Sequence, residues 1–220
     1  LEYHRRRKRF LEDLPAGPPP LSVSQEQELE KLRSLGRQNL SEHETKELLS
    51  RWGVPINREI RAATWEQVSS AATQIGYPVV LKVDSPDVTH KTESGLVRLG
   101  IAGEAELKQA YDLVNEAAKT QIPDANVSGV LVGEMVAGGV EVIVGITRDS
   151  QFGPVILFGI GGIFVELFED ASRRVCPISR RDAIEMVNEV KGARLLQGYR
   201  GQPPSDVDAL VDVLIRVSDM

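Results

Sequence analysis

The sequence predicts a mixed α/β domain, and three observations lead to that class. The run Val79-Val80-Leu81-Lys82-Val83 is almost wholly apolar, as expected of a strand covered on both faces. Strand-like and helix-like patterns then alternate through residue 134. Two further strand patterns follow, at Val140–Arg148 and Pro154–Gly159, joined through Thr147-Arg148-Asp149-Ser150-Gln151-Phe152 as an antiparallel hairpin. Alternation followed by hairpins predicts a mixed α+β arrangement and excludes a strictly parallel doubly wound sheet. No internal repeat is visible.

The elements follow in order. Arg5-Arg6-Arg7-Lys8-Arg9 is a basic run on a short predicted helix, either a nucleic-acid or membrane contact or, as favoured, a solvated linker helix of a multidomain protein. Pro15-Ala16-Gly17-Pro18-Pro19-Pro20 forms a semi-rigid spacer, because proline fixes φ and lacks the N–H that a helix or central strand needs. A charged helix spans Ser24–Leu35 and stops at Gly36. Residues 1–37 are thus expected to be a linker and residues 38–220 the compact region. Ser41 and Glu44 have capping-box spacing, with Leu40, Leu48, Leu49 and Trp52 as the apolar face and Gly53 as the stop. Thr64 caps a helix running to about Ile75, which Gly76-Tyr77-Pro78 breaks. Strands are predicted at Val79–Val83, Leu96–Ile101 and Gly129–Glu134, and helices at Glu104–Lys119, Arg180–Val190 and Ser205–Ser218.

Composition excludes several classes of function. The chain of 220 residues is 41% hydrophobic and 26% charged, close to the roughly 45–50% and 25% of globular proteins. Its net charge of -6 disfavours nucleic acid as a partner. A single cysteine, Cys176, precludes an internal disulfide framework and fits a reducing compartment. No apolar run approaches the roughly 18 residues of a membrane span. The expectation is a soluble, cytoplasmic protein with no membrane partner. Because the chain begins at Leu1 rather than methionine, it is also expected to be an excerpt of a longer polypeptide.

Four groups of residues carry candidate chemistry. Lys82 stands in an apolar strand, where an ammonium must reach water or meet an anion, since burying it unpaired costs several kcal/mol. The segment Ser85-Pro86-Asp87-Val88-Thr89-His90-Lys91-Thr92-Glu93-Ser94-Gly95 joins two strands and can fold over phosphates with its backbone N–H groups and Lys91. His90 lies at its centre; of the three histidines, His4 and His43 fall on helices read as exposed. An imidazole titrating near neutrality is both base and nucleophile, able to carry a phosphoryl group or simply to hydrogen-bond the loop. Phe158-Gly159-Ile160-Gly161-Gly162-Ile163-Phe164 fails the dinucleotide fingerprint, because Phe164 replaces the third glycine; a nucleotide-cleft wall and a tight structural turn remain open. Finally, Glu134 and Glu141 flank Met135-Val136-Ala137-Gly138-Gly139-Val140, either a hinge reading an adenine edge beside a ribose or a solvated hairpin rim. No Walker lysine motif and no His/Cys metal spacing are present.

The run Lys82-Val83-Asp84-Ser85-Pro86-Asp87-Val88-Thr89-His90-Lys91-Thr92-Glu93-Ser94-Gly95 closely resembles the ATP-grasp part of ADP-forming acyl-CoA synthetases, relatives of succinyl-CoA synthetase. The same group includes bacterial protein acetyltransferases with a similar, often inactive, synthetase-like region. The resemblance extends over about residues 38 to 200, through Leu40-Ser41-Glu42-His43-Glu44, Gly145-Ile146-Thr147-Arg148-Asp149, Phe152-Gly153-Pro154-Val155 and Phe158-Gly159-Ile160-Gly161-Gly162. It implies an ATP-grasp fold and use of ATP/ADP with Mg2+. It further implies His90 as a phosphoryl-accepting residue and Lys82 as a contact to nucleotide phosphates. Ser94 and Gly95 would close the phosphate loop, Glu134, Met135 and Val136 would form the adenine hinge, and Glu141 would lie near the ribose. CoA-binding and ligase domains, in the same polypeptide or a partner subunit, would supply CoA, the carboxylic acid and a second histidine, in an oligomeric assembly.

One departure bears on activity. Family members continue into Glu-Leu-Asp-Ile-Asn-Pro-like and Asp-Ala-Arg-like segments that carry the Mg2+ ligands, whereas this sequence stops at Met220. Glu166, Glu169 and Asp170 supply no replacement pair, so the expectation is a fold truncated before its last strands, with metal ligands outside the chain. A non-catalytic, synthetase-like regulatory region of a fused acetyltransferase is the competing expectation. An unrelated carboxylate–amine ligase is a third, and needs no histidine in this loop.

Overall fold

The computed structural model describes residues 19–37, 39–88, 94–161, 170–198, 201 and 203–220. Its elements are helix α1 (Val23–Ser34), helix α2 (Glu42–Arg51), strand β1 (Glu59–Ala62), helix α3 (Trp65–Ile75), strands β2 (Val79–Asp84) and β3 (Val97–Ile101), and helix α4 (Glu104–Gln121). Strands β4 (Gly129–Glu134), β5 (Val142–Asp149), β6 (Gly153–Ile160) and β7 (Ala171–Val175) follow, then helix α5 (Arg180–Glu189), a 3-10 helix (Lys191–Gln197) and helix α6 (Val207–Ser218). The basic run and most of the Pro-rich spacer lie outside the described residues. The chain divides into two compact units: residues 24–51 with 55–137, and residues 138–220 with 52–54 and 1–23.

In the unit containing residues 55–137, four strands form one sheet in the order β1-β4-β2-β3. Every described pairing in it is antiparallel. Antiparallel register places directly opposed residues on one face. Val79, Leu81 and Val83 of β2 therefore share a face with Val132 and Val130 of β4, and with Ile60 and Ala62 of β1. That face packs on Val68, Ala71 and Ala72 of α3 and on Leu107, Ala110 and Val114 of α4 to make the unit's hydrophobic core. The opposite face carries Val80, Lys82 and Asp84 beside Leu131, Glu59 and Arg61.

Helix α2 lies against this second face by polar contacts, which corrects one expectation. The capping box is present: Ser41 N–H donates to Glu44 at 2.8 Å, and Glu44 N–H donates to the Ser41 hydroxyl at 3.4 Å. The apolar face expected from Leu48 and Leu49 is only half-buried, and no residue within α2 is buried. Glu42, His43 and Lys46 point at the sheet instead, because the strand face they meet is itself charged. Strand β1 escaped sequence analysis, since Glu-Ile-Arg-Ala is short, half charged and lies at a sheet edge.

In the unit containing residues 138–220, β5, β6 and β7 form a second antiparallel sheet in that order. Ile156, Phe158 and Ile160 of β6 pack on Ala183, Met186 and Val187 of α5, Leu196 of the 3-10 helix, and Val211 and Leu214 of α6. The hairpin closes where Asp149 pairs with Gly153, and the Asp149 carboxylate accepts from Gln151 and Phe152 N–H. Strand β7, Ala-Ser-Arg-Arg-Val, was also unexpected; it is too polar to carry the strand pattern and owes its conformation to pairing with β6. Residues of the Gly-rich run from Gly162 to Phe164, and Glu166 and Glu169, lie outside the described residues.

Candidate nucleotide site

Lys82 occupies the third inner position of a strand paired on both sides, with Leu131 opposite on β4 and Val97 opposite on β3. Two ladders fix its backbone, so only the side chain can adapt. Its side chain is 22% exposed, and its ammonium donates to Glu42 Oε1. The lysine therefore meets an anion, one of the two outcomes that its place in an apolar strand demands.

Around that pair lies a ladder of alternating charge. Lys46 Nζ donates to the same Glu42 Oε1 at 3.0 Å and also to Glu59 Oε2. Burial lowers the Lys46 pKa, but the Glu59 and Glu42 carboxylates more than offset it, leaving the group above its ordinary value. The Glu59 side chain is only 4% exposed, and its other oxygen lies 3.5 Å from His43 Nδ1. At the strand end, the fully buried Asp84 carboxylate accepts from the Ser41 hydroxyl at 3.1 Å and from His43 N–H at 3.4 Å. A carboxylate beneath the first turn of α2 complements the helix dipole and fixes where Glu42 stands.

The remaining candidates sit at the margins of the same sheet or in the other unit. Glu134 ends β4 opposite Val79, three residues along the ladder from the Lys82–Leu131 pair. Its carboxylate accepts from Arg58 N–H at 2.8 Å and Arg58 Nε at 3.0 Å, which hold it below the usual carboxylate range. Met135 N–H donates to Pro78 C=O at 3.4 Å, and the Val136 side chain is exposed. Ser94 and Gly95 form the turn entering β3; Gly95 has φ +67°, the left-handed region that favours glycine. His90, with Thr89 and Lys91 to Glu93, lies outside the described residues.

Glu141 belongs to the unit of residues 138–220, just before β5. Its C=O accepts from Gly161 N–H at 2.7 Å, and a Cβ on Gly161 would stand 2.9 Å from Glu141 Cβ. Gly161 is thus needed for a close approach of two backbones, where the pairing of β5 with β6 continues one residue beyond Val142 and Ile160. Asp170 accepts from Lys191 and Gly192 N–H, each at 2.9 Å, and so caps the 3-10 helix. Among the described residues no group of three His, Cys, Asp or Glu side chains is placed to hold a metal ion.

Sequence reasoning missed Glu42, His43, Lys46 and Glu59 as a charged layer under Lys82. The four-residue spacing of Glu42 and Lys46 on α2 was legible, but which sheet face α2 met, and that Glu59 of β1 lay opposite, was not.

Comparison with known proteins agrees with this architecture. A family model for the ATP-grasp domain matches residues 31–220. The β subunit of acetate–CoA ligase [ADP-forming] II from Pyrococcus furiosus is 41% identical over 192 residues, covering 87% of this chain and 81% of that subunit. Acetate–CoA ligase [ADP-forming] I of Archaeoglobus fulgidus is 47% identical over 173 residues, but this chain spans only 25% of its length. The structure of acetyl-coenzyme A synthetase 1 from Candidatus Korarchaeum cryptofilum, in complex with coenzyme A and Ca-AMPCP, superposes with a TM-score of 0.83 at 44% identity, over 86% of this chain and 83% of that one. With its fold and its similarity to β subunits in agreement, the chain belongs to the ATP-grasp family, in the branch of ADP-forming acyl-CoA synthetases.

Proposed function

We propose that this chain is the nucleotide-binding part of an enzyme that converts a carboxylic acid, ATP and CoA to acyl-CoA, ADP and phosphate through a phosphohistidine. The observation that carries the reading is the 41% identity to a β subunit of such a ligase over most of both chains. Lys82, anchored by two ladders in the sheet centre, neutralises phosphate charge. An imidazole nitrogen of His90 forms a P–N bond to the terminal phosphorus as the P–O bond to ADP breaks, which splits one hard transfer into two easier ones. The backbone of Glu134, Met135 and Val136 reads the adenine edge, and Glu141 takes a ribose hydroxyl. The hinge assignment leaves the Glu134 carboxylate on Arg58, so its backbone rather than its side chain meets the base.

CoA, the acid and the second histidine come from CoA-binding and ligase domains in a larger, oligomeric assembly. In another complex of the Candidatus Korarchaeum cryptofilum enzyme, with coenzyme A and Mg-AMPPCP, a phosphohistidine segment points towards the nucleotide binding site. Mg2+ would neutralise polyphosphate charge, and its ligands are assigned to segments beyond the described residues.

The test uses the full-length protein with ATP labelled at the terminal phosphate. Acid-labile label on histidine is expected, with His90→Asn abolishing the label on this chain and lowering turnover by at least about a hundredfold, the lower end of the loss when a covalent carrier is removed. Normal labelling and turnover in that variant would disprove the role of His90. A protein that releases no ADP when acid and CoA are supplied would instead be the non-catalytic regulatory region.

A further inference from the structure

We infer that Glu42 is the counter-ion that Lys82 gives up when nucleotide binds, an internal substitute for phosphate on the strand-centre ammonium. The inference rests on the reading of Lys82 as a phosphate-binding lysine and adds to it a residue outside the strand and loop.

Glu42 Oε1 accepts from both Lys82 and Lys46. A carboxylate oxygen on a strand-centre ammonium is chemically what a phosphate oxygen would be: an anionic acceptor at hydrogen-bond distance. Its position is enforced rather than incidental. Glu42 opens α2, and the first turn of α2 is tied to β2 through Ser41 and His43, which donate to the buried Asp84. Lys46, one turn further on, supplies a second cation at 3.0 Å and is itself held by Glu59 of β1. If Lys82 leaves Glu42 for a phosphate, the carboxylate keeps Lys46 and is not stranded in a partly buried site, where an unpaired charge is costly. The exchange thus replaces one ion pair at Lys82 by a stronger one, because nucleotide phosphates carry more charge than a carboxylate.

Two opposing effects decide what Glu42 does to affinity. It orders the Lys82 side chain in advance, which favours binding. It also competes for the ammonium at contact distance and repels every incoming phosphate oxygen, which disfavours binding. Ordering concerns one side chain's rotamers, whereas the carboxylate offsets the ammonium's charge at contact distance, so competition for Lys82 wins. Glu42 therefore weakens nucleotide binding and helps ADP to leave.

Calorimetric titration of the full-length protein with ADP and with adenosine tests this. Glu42→Gln should lower the Kd for ADP by about three- to tenfold, where tenfold corresponds to about 1.4 kcal/mol, and leave adenosine binding unchanged. In a Lys82→Ala background the same substitution should change the ADP Kd by no more than about twofold, because additivity fails for groups in contact. Glu42→Ala carries the same expectation, and in the unaltered protein the Glu42 carboxylate 13C resonance should move on adding ADP but not adenosine. An ADP affinity unchanged or weakened in Glu42→Gln, equal gains for adenosine, an undiminished gain without Lys82, or an unmoved carboxylate resonance would each overturn the inference. If the unaltered protein binds no ADP, or Lys82→Ala binds it equally well, the phosphate-lysine reading falls and the inference with it. If Lys82→Ala weakens binding but Glu42→Gln does not tighten it, only the inference falls.

Discussion

Lys82 was singled out because an ammonium in an apolar strand needs an anion, and an anion is present, though it comes from the protein itself. The chemistry of that one residue was legible; the identity of its partner was not, because 40 residues separate Glu42 from Lys82. Ser41 shows the same limit. Its capping role follows from local spacing, yet its hydroxyl also donates to a fully buried carboxylate on β2. Ser41→Ala should therefore cost more than a simple cap, about 2–3 kcal/mol from cap and carboxylate together. Urea unfolding measures it, and a loss below about 0.5 kcal/mol would show that Asp84 finds another donor. Cys176 is half-buried, and burial pushes its thiol up from the ordinary value. Its reaction with a disulfide reagent at neutral pH should run well below that of free cysteine, since the thiolate is the nucleophile. A rate equal to free cysteine would refute that environment.

Elements bounded by strong local signals were read closely. Thr64 accepts from Gln67 N–H at the start of α3, and Gly76 follows its end. Strand β4 runs over the predicted residues, and the β5–β6 hairpin closes through the predicted connection. Strands β1 and β7 were missed for one reason: each is a short edge strand whose charged side chains hide the alternation, and pairing rather than propensity makes it extended. Helix α5 offers a measurement at this scale. Ser179 and Asp182 form a reciprocal capping box, with the Ser179 N–H donating at 2.9 Å and the Asp182 N–H at 3.1 Å. Ser179→Ala should destabilise the protein by about 1 kcal/mol, seen as a shift in denaturation midpoint without a change in slope. An unchanged midpoint would mean that packing of Ala183, Met186 and Val187 alone sets the start of α5.

Across the whole chain, carboxylates tied to donors give a common pH response. Burial pushes Glu44 up, but Ser41 N–H and the Arg37 guanidinium more than offset it, so its pKa is lowered. Glu189 is lowered by its hydrogen bond from Arg174, and Asp149 by the Phe152 and Gln151 N–H groups. A folded pKa below the unfolded one contributes stability that is full above the unfolded value, about 4 for carboxylates, and is lost as pH falls through the folded value. Stability should therefore hold from pH 7 to about 5 and decline below about 4. Denaturant midpoints measured across that range check it, and a midpoint independent of pH down to 3 would contradict the sign.

No described helix is long and apolar enough to cross a membrane. The sequence alone determined the fold class, the order and approximate bounds of the longer elements, the family, and the segment where nucleotide chemistry is expected. All of these rest on periodicity, caps and motifs, which are local in the chain. Tertiary structure alone decided which sheet face Lys82 lies on, that α2 meets it with charge rather than with leucines, and that Asp170 caps a helix turn. Those outcomes depend on register and packing between segments far apart in sequence, where a shift of one residue reverses every face.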